Sequence, residues 1–374
     1  MFALVGDRLH LLALAVTLQP PAGQSIRPAP LAILPMLRHA LFPVEAAAYG
    51  ISYAFLQHSI RSPQPLDPEW TWHAITREMP RGTDWIRTQW PLKPLRKLVI
   101  HAKMKQDHVL GISAHYDVSN DFYKLWLDRK YMFYTCADFH TPQDTIEDAQ
   151  QHKADFILKL IDPQPGDKIM ELGCGWGPML KRIYEATGER ENLFGLTLSK
   201  EQKSYNDEHN HFNVDFDNFI TRDYPREAFD KIYSIGAWEH VRQHEIPQLL
   251  AKLYAALKPG GRLVQHFFCR TADSYMGPVA CSQIYFPGSM GSSYRFHARA
   301  WEDAGFRITH RSIHDYRQTL RAWFDRMVEH KEEALRLVDV QTYNRYLTFF
   351  PASWRYFNDN WGMVTRWVLE KPKA

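Results

Sequence analysis

The chain has 374 residues, a net charge of +3, 45% hydrophobic and 23% charged residues, and four cysteines. That length suits one large domain with a smaller one and a sizeable buried core. So small a charge, with no basic arm or zinc-finger spacing, argues against a nucleic-acid partner. Cys136, Cys174, Cys269 and Cys281 form no C-x-x-C pair and no metal-ligand rhythm, so a reduced, cytosolic protein without a bound metal is expected.

The apolar run Leu11 to Leu18 is too short to span a bilayer, and Asp7 and Arg8 before it do not suit a signal peptide. The first 65 residues read as irregular, broken by Pro20, Pro21, Pro28, Pro30, Pro35 and Pro43. Ser62 to Pro68 reads as a linker. Between Arg77 and Lys105 lie Arg81, Arg87, Lys93, Arg96, Lys97 and Lys103, with Glu78 and Asp84 as the acids and Trp85, Trp90 and aliphatic residues interleaved. Such a stretch suits an anionic lipid surface; a solvated helix with one face on the core explains it equally well. The chain is divided into an N-terminal region, 1–105, and a main domain, 106–374.

From Gln150 the pattern is regular. A helix over Ala154–Ile161 ends at Asp162-Pro163, and a strand covers Lys168 to Leu172. The run Glu171-Leu-Gly-Cys-Gly-Trp-Gly177 then opens a helix at Pro178. Three alternating glycines between strand and helix let the backbone approach a ligand closely. The spacing is neither the dinucleotide fingerprint nor a P-loop, and Glu171 is placed to meet a cationic ligand. A strand at Leu193–Leu198, a helix opening at Ser199 with Gln202 in a capping box, a strand at Phe229–Gly236, a helix over Glu245–Leu257 and a strand at Arg262–Phe268 follow. This alternation predicts a mostly parallel, doubly wound α/β sheet, with ligands beyond the carboxyl ends of its strands. Thr271–Ser293 reads as an inserted lid, Gln318–Val338 as one long helix and Val364–Glu370 as the last strand.

Several separated segments resemble the cyclopropane fatty acid synthases, which include the mycolic acid cyclopropane synthases. They are His115-Tyr-Asp-Val-Ser-Asn-Asp-Phe-Tyr123, Tyr134-Thr-Cys-Ala-Asp-Phe139, the glycine loop, Gly195–Gln202, Ser234-Ile-Gly-Ala-Trp-Glu-His-Val241, His266 and Tyr285-Phe-Pro-Gly288. The resemblance covers about residues 95 to 370 and implies a class I S-adenosylmethionine (SAM) methyltransferase fold, with 106–374 as its catalytic domain. It implies that Gly173 and Gly175 admit the methionine part of SAM, that Tyr134 and Thr135 close over it, that Thr197 and Gln202 meet the ribose, and that Asp223 and Tyr224 flank the adenine. By the same resemblance, Cys136, Glu239, His266 and Tyr316 hold a bicarbonate ion that acts as base. The implied acceptor is an unsaturated acyl chain of a phospholipid, met at the inner membrane face by a cytoplasmic enzyme; an oligomer is compatible with it.

The sequence departs from the family at Arg242, where glycine is frequent, and at Phe267-Phe268, where smaller residues are usual. Gln265 to Tyr275 also resembles the plant coclaurine N-methyltransferases, which methylate an amine on the same scaffold. A pair such as Glu239 and His240 serves that chemistry too.

Overall fold

The computed structural model describes residues 51–79, 119–271, 284–286 and 291–373. The Leu11–Leu18 run, nearly all of the basic stretch, residues 115–118 of the His115 motif and most of the expected lid lie outside them. Helix α1 covers residues 51–60 and α2 covers Pro68–His73. The expectation of irregular structure up to residue 65 therefore fails for α1. The physical reason is burial: Leu56, Ile60 and Ile75 join the same core cluster as Trp126, Trp323 and Phe350. Arg355 donates to Ile75 O at 3.0 Å, and Leu66 N donates to Asn344 Oδ1 at 3.0 Å.

The main domain follows as α3 (Asn120–Lys124), α4 (Ile146–Ile161), β1 (Ile169–Leu172), α5 (Pro178–Thr187), β2 (Leu193–Thr197), α6 (Lys200–Tyr205), β3 (Asn213–Phe216), β4 (Phe229–Ile235), α7 (Ile246–Ala256), β5 (Leu257–Arg270), α8 (Tyr294–Asp303), β6 (Arg307–His314), α9 (Arg317–Glu329), α10 (Lys331–Leu337), α11 (Val340–Asn358) and β7 (Gly362–Glu370). Helix α4 begins eight residues before the expected Ala154, because Thr145 and Asp148 form a reciprocal capping box at its start. It ends at Asp162 in the left-handed conformation. The expected helix Gln318–Val338 is two helices, α9 and α10, parted at His330, whose backbone leaves the helical region.

The seven strands run in the order β3-β2-β1-β4-β5-β7-β6. All neighbouring pairs up to β5 are parallel, and β7 lies antiparallel between β5 and β6. This is the doubly wound sheet that the sequence predicts. Chain order reverses between β1 and β4, and at such a switch point a crevice opens beyond the strand ends. One face of the sheet packs on a cluster around Trp238, Leu253, Trp301 and Trp367, and the other on Ile157, Leu180, Ile183 and Val214. A third cluster, rich in aromatic rings, is built by α3, α9 and α11 and includes Trp176 of the glycine loop.

Candidate active site

The glycine loop leaves β1 with Gly173, Gly175 and Gly177 all at positive φ, from 57° to 77°. They differ in what surrounds them. A Cβ at Gly173 would overlap Ala237 Cβ, whereas at Gly175 it would meet only Gln202 Nε2, at 3.8 Å. Gly173 thus brings the turn against the end of β4, and Gly175 faces open space.

That space is a cleft lined by Tyr134, Thr135, Glu171, Gly173, Gly175, Thr197, Gln202, Ile235, Ala237 and His240. At the end of β2, Thr197 Oγ1 donates to Gln202 Oε1 at 2.8 Å and accepts from Ser199 N at 3.2 Å. Ser199 Oγ caps α6 through Gln202 N. The Gln202 side chain also accepts from Thr197, tying the start of α6 to the end of β2. Glu171 is buried, and Tyr233 donates its hydroxyl to Oε2 at 2.8 Å. Burial pushes the Glu171 carboxyl up to about 8 despite that bond.

The stretch Asp217, Asn218, Phe219 and Ile220 also lines the cleft. Asp223 and Tyr224 do not. Asp223 is exposed and pairs with Lys252 at 3.2 Å, while the Tyr224 hydroxyl donates to Phe219 O at 2.7 Å. No motif in the sequence marks Asp217–Ile220; the loop after β3 becomes visible only once β3, which the sequence reading omits, is in place.

Beside the cleft lie the residues expected to hold the anion. Glu239 and His240 sit on a short 3₁₀ turn after β4. Glu239 is buried, burial pushes its carboxyl up to about 8, and its Oε2 has no hydrogen-bond partner among the described residues. His266 lies opposite Ile235 in the strand register, and its carbonyl accepts from Gly236 N at 2.8 Å. Cys136 is buried, which pushes its thiol up to about 12, and its Sγ lies 3.5 Å from the carbonyl of Asp315, the neighbour of Tyr316. Tyr316 packs on Trp323 and Phe357, with ring centroids 5.8 and 5.2 Å away. Tyr134 links the cleft to this aromatic cluster, lying 5.1 Å from Trp126 and 5.2 Å from Trp323.

Two charged groups behind these residues were not anticipated. Arg366 of β7 is fully buried; its Nε donates to His266 Nδ1 at 2.8 Å, and its two terminal nitrogens reach Asp138 at 2.6 and 2.8 Å. Burial alone would raise Asp138, but hydrogen bonds from His314 and Arg366 hold it well below the usual carboxylate range. Lys153 is the second group: it is buried, depressed by that burial, and donates to Thr135 Oγ1 at 2.8 Å. Both carry a sequence signal. Arg366 interrupts an apolar strand, and Lys153 falls on the buried i, i+4 stripe Ala149, Ile157, Ile161 of α4, where a charge demands a partner.

Of the departures from the family pattern, Phe267 points away from this side and packs on His297, 4.7 Å between ring centroids. Phe268 lies 6.1 Å from Phe357, which backs Tyr316. Arg242 N donates to Glu245 Oε2.

Comparison with known proteins decides the family. The description "Mycolic acid cyclopropane synthetase" matches residues 103–367. The chain belongs to this family. Among its relatives, cyclopropane mycolic acid synthase MmaA2 of Mycobacterium tuberculosis is 29% identical over 292 residues, covering 71% of this chain and 98% of that protein. A probable fatty acid methyltransferase of Pseudomonas putida is 30% identical over 288 residues, covering 72% of this chain and 71% of that protein. The solved structure of MmaA2 superposes with a TM-score of 0.66 at 27% identity, covering 71% and 98% of the two chains. Coclaurine N-methyltransferase, at 18% identity, shares the fold with a TM-score of 0.65 and covers 87% of this chain and 99% of its own. As a mycolic acid cyclopropane synthase family member with the class I methyltransferase fold, the chain is a SAM-dependent methyltransferase. No helix among the described residues is long and apolar enough to cross a membrane.

Proposed function

We propose that the protein transfers the methyl carbon of SAM to a carbon–carbon double bond of an unsaturated acyl chain, most simply a phospholipid acyl chain, and that bicarbonate is the base. The observation that carries this reading is Glu239: a buried carboxyl, pushed up to about 8, whose Oε2 has no partner among the described residues. A neutral acid whose Oε2 meets nothing among the described residues fits an anion with which it can share a proton. His266, bound at Nδ1 by Arg366, would offer its other ring nitrogen to the same anion.

When bound, SAM supplies an electrophilic methyl group and bicarbonate a proton acceptor. The chain's own residues do the rest. Gly175 leaves room for the methionine part, and Thr197 and Gln202 present polar atoms to the ribose. Tyr134 and Thr135 cover the cleft, and Asp217–Ile220 stands at the adenine end in place of Asp223 and Tyr224. Tyr134, Trp126, Trp323 and Tyr316 form an aromatic wall that excludes water and tolerates the positive charge developing on the alkene carbons. The catalytic unit is 106–374, on which residues 51–79 pack.

Incubation with SAM and unsaturated phospholipid vesicles, followed by mass analysis of the acyl chains, should show a gain of one CH₂ unit. No gain with any unsaturated acyl lipid overturns the reading. Stripping bicarbonate should lower the rate, and returning it should restore the rate. Replacing Arg96, Lys97, Lys103 and Lys105 by Gln should weaken binding to anionic liposomes in a sedimentation assay, by about 1 kcal/mol per charge.

A second reading rests on His240, which lines the cofactor cleft itself. There it is placed to take a proton from an amine, as in a small-molecule N-methyltransferase. That enzyme would give a methylated amine and ignore bicarbonate.

A further inference from the structure

His266 and Arg366 face each other across the antiparallel β5–β7 pair, directly opposite in register. The Arg366 Nε–H points at His266 Nδ1 from 2.8 Å. A guanidinium has donors only and stays protonated in proteins. The bond therefore exists only if Nδ1 carries a lone pair. Either an imidazolium or the Nδ1–H tautomer would set two N–H groups against each other. We propose that Arg366, anchored by Asp138, is a positioning residue that locks His266 as the neutral Nε2–H tautomer and so makes it a hydrogen-bond donor to an anion rather than a proton acceptor.

The lock is built to hold. Arg366 is fully buried, so it has no water to turn to. Its terminal nitrogens fork onto both oxygens of Asp138, which fixes the guanidinium plane and the direction of Nε–H. Phe156 of α4 covers the guanidinium, 5.2 Å from its ring centroid. His314 of β6 approaches Asp138 Oδ1 with Nδ1 at 3.2 Å and reaches Ser312 Oγ through Nε2 at 2.8 Å. Asp138 is thus held from two strands. The division of labour follows. A donor ring and a neutral acid, Glu239, both suit an anion, and neither competes with it for the substrate's proton.

The consequence for catalysis rests on the bicarbonate reading; the tautomer does not, so the two can fail separately. The test is ¹⁵N NMR of histidine-labelled enzyme, with the His266 signals assigned by their loss in H266N. The unaltered protein should show a pyridine-like Nδ1 and a pyrrole-like Nε2 that do not move through the pH range in which an exposed histidine titrates. Arg366→Met alone leaves Asp138 buried without its partner and can cost the fold, so the double variant R366M/D138N, which removes both charges, is measured beside it. In the double variant the ring should exchange between tautomers, and turnover should fall about 10- to 100-fold, the range seen when partners that orient metal-bound histidines are removed, with KM for SAM unchanged. An Nδ1–H or charged His266 in the unaltered protein, or an unmoved tautomer in the double variant, overturns the proposal. Bicarbonate independence with the Nε2–H tautomer intact removes the bicarbonate reading and leaves the lock standing.

Discussion

Two buried carboxylic acids, Glu171 and Glu239, stand at the ends of neighbouring strands, and burial pushes both up to about 8. Glu171 belongs to the glycine-loop half of the site and is bonded within the protein, where Tyr233 donates to its Oε2. Glu239 belongs to the half proposed to hold the anion, and its Oε2 meets no partner among the described residues. The same side chain in the same electrostatic state is bonded to a tyrosine hydroxyl in one half and left with an unmet oxygen in the other. Burial and a raised pKa therefore do not by themselves mark a catalytic acid; the unmet hydrogen bond distinguishes them.

The largest expected effect separates the two acids. Glu239→Gln should lower turnover by about 10²- to 10⁴-fold with little change in SAM affinity, because it removes a transferable proton and leaves the cofactor loop intact. Glu171→Gln keeps an oxygen for Tyr233, so its loss should be roughly tenfold smaller or less. Steady-state kinetics beside calorimetric titration with SAM checks both, and equal losses would erase the distinction.

Next come the glycines of the loop. Gly173→Ala forces a Cβ onto Ala237 at a positive φ and should cost several kcal/mol of stability, read as a lower Tm. Gly175→Ala carries only the backbone strain of about 1–2 kcal/mol, but its methyl enters the cleft and should abolish most SAM binding. A β-branched residue at Gly175 would blur this contrast, since its strain in the left-handed region is greater.

The pH dependence of stability sharpens the comparison further. Each acid rises from 4.5 in the unfolded chain to about 8 in the fold. Between those values the folded protein holds more protons than the unfolded one, so stability falls as pH rises through the window. Each group should contribute a few kcal/mol, and E171Q and E239Q should each flatten the decline of Tm with pH in the protein without ligand. The smallest effect belongs to Thr197→Val. It removes the hydroxyl bridging Gln202 and Ser199 N, and should cost about 1 kcal/mol with a modest loss of SAM affinity.

The two halves also differ in how far they could be read from the sequence. The glycine loop is local: Glu171 to Gly177 carries its own strand end, turn and helix start, and the alternation of β1, α5, β2 and β4 around it follows from periodicity and caps. The proposed anion half draws Cys136, Glu239, His266 and Tyr316 from four distant segments, and only a family resemblance groups them. Asp138 and Arg366 escape even that, because 228 residues part them and the contact depends on β7 running antiparallel beside β5. Strand β6, with its strict in-and-out alternation of half-buried and exposed residues, was legible in principle. The core role of α1 is marked in the same way by the apolar pair Leu56 and Ile60, one helical turn apart among surrounding prolines.

The place of β7 in the chain carries one more consequence. It comes last of the seven strands, yet it fills the gap between β5 and β6 and brings Arg366 to His266, which is 100 residues earlier. At ordinary elongation rates of about 5–20 residues per second, some 5–20 seconds separate the synthesis of these partners. Throughout that interval β5 presents an unpaired edge, and the ring of His266 has nothing to set its protons. Under the bicarbonate reading, the contact that orients His266 forms only once β7 has docked, after the strands bordering the cofactor cleft have been made.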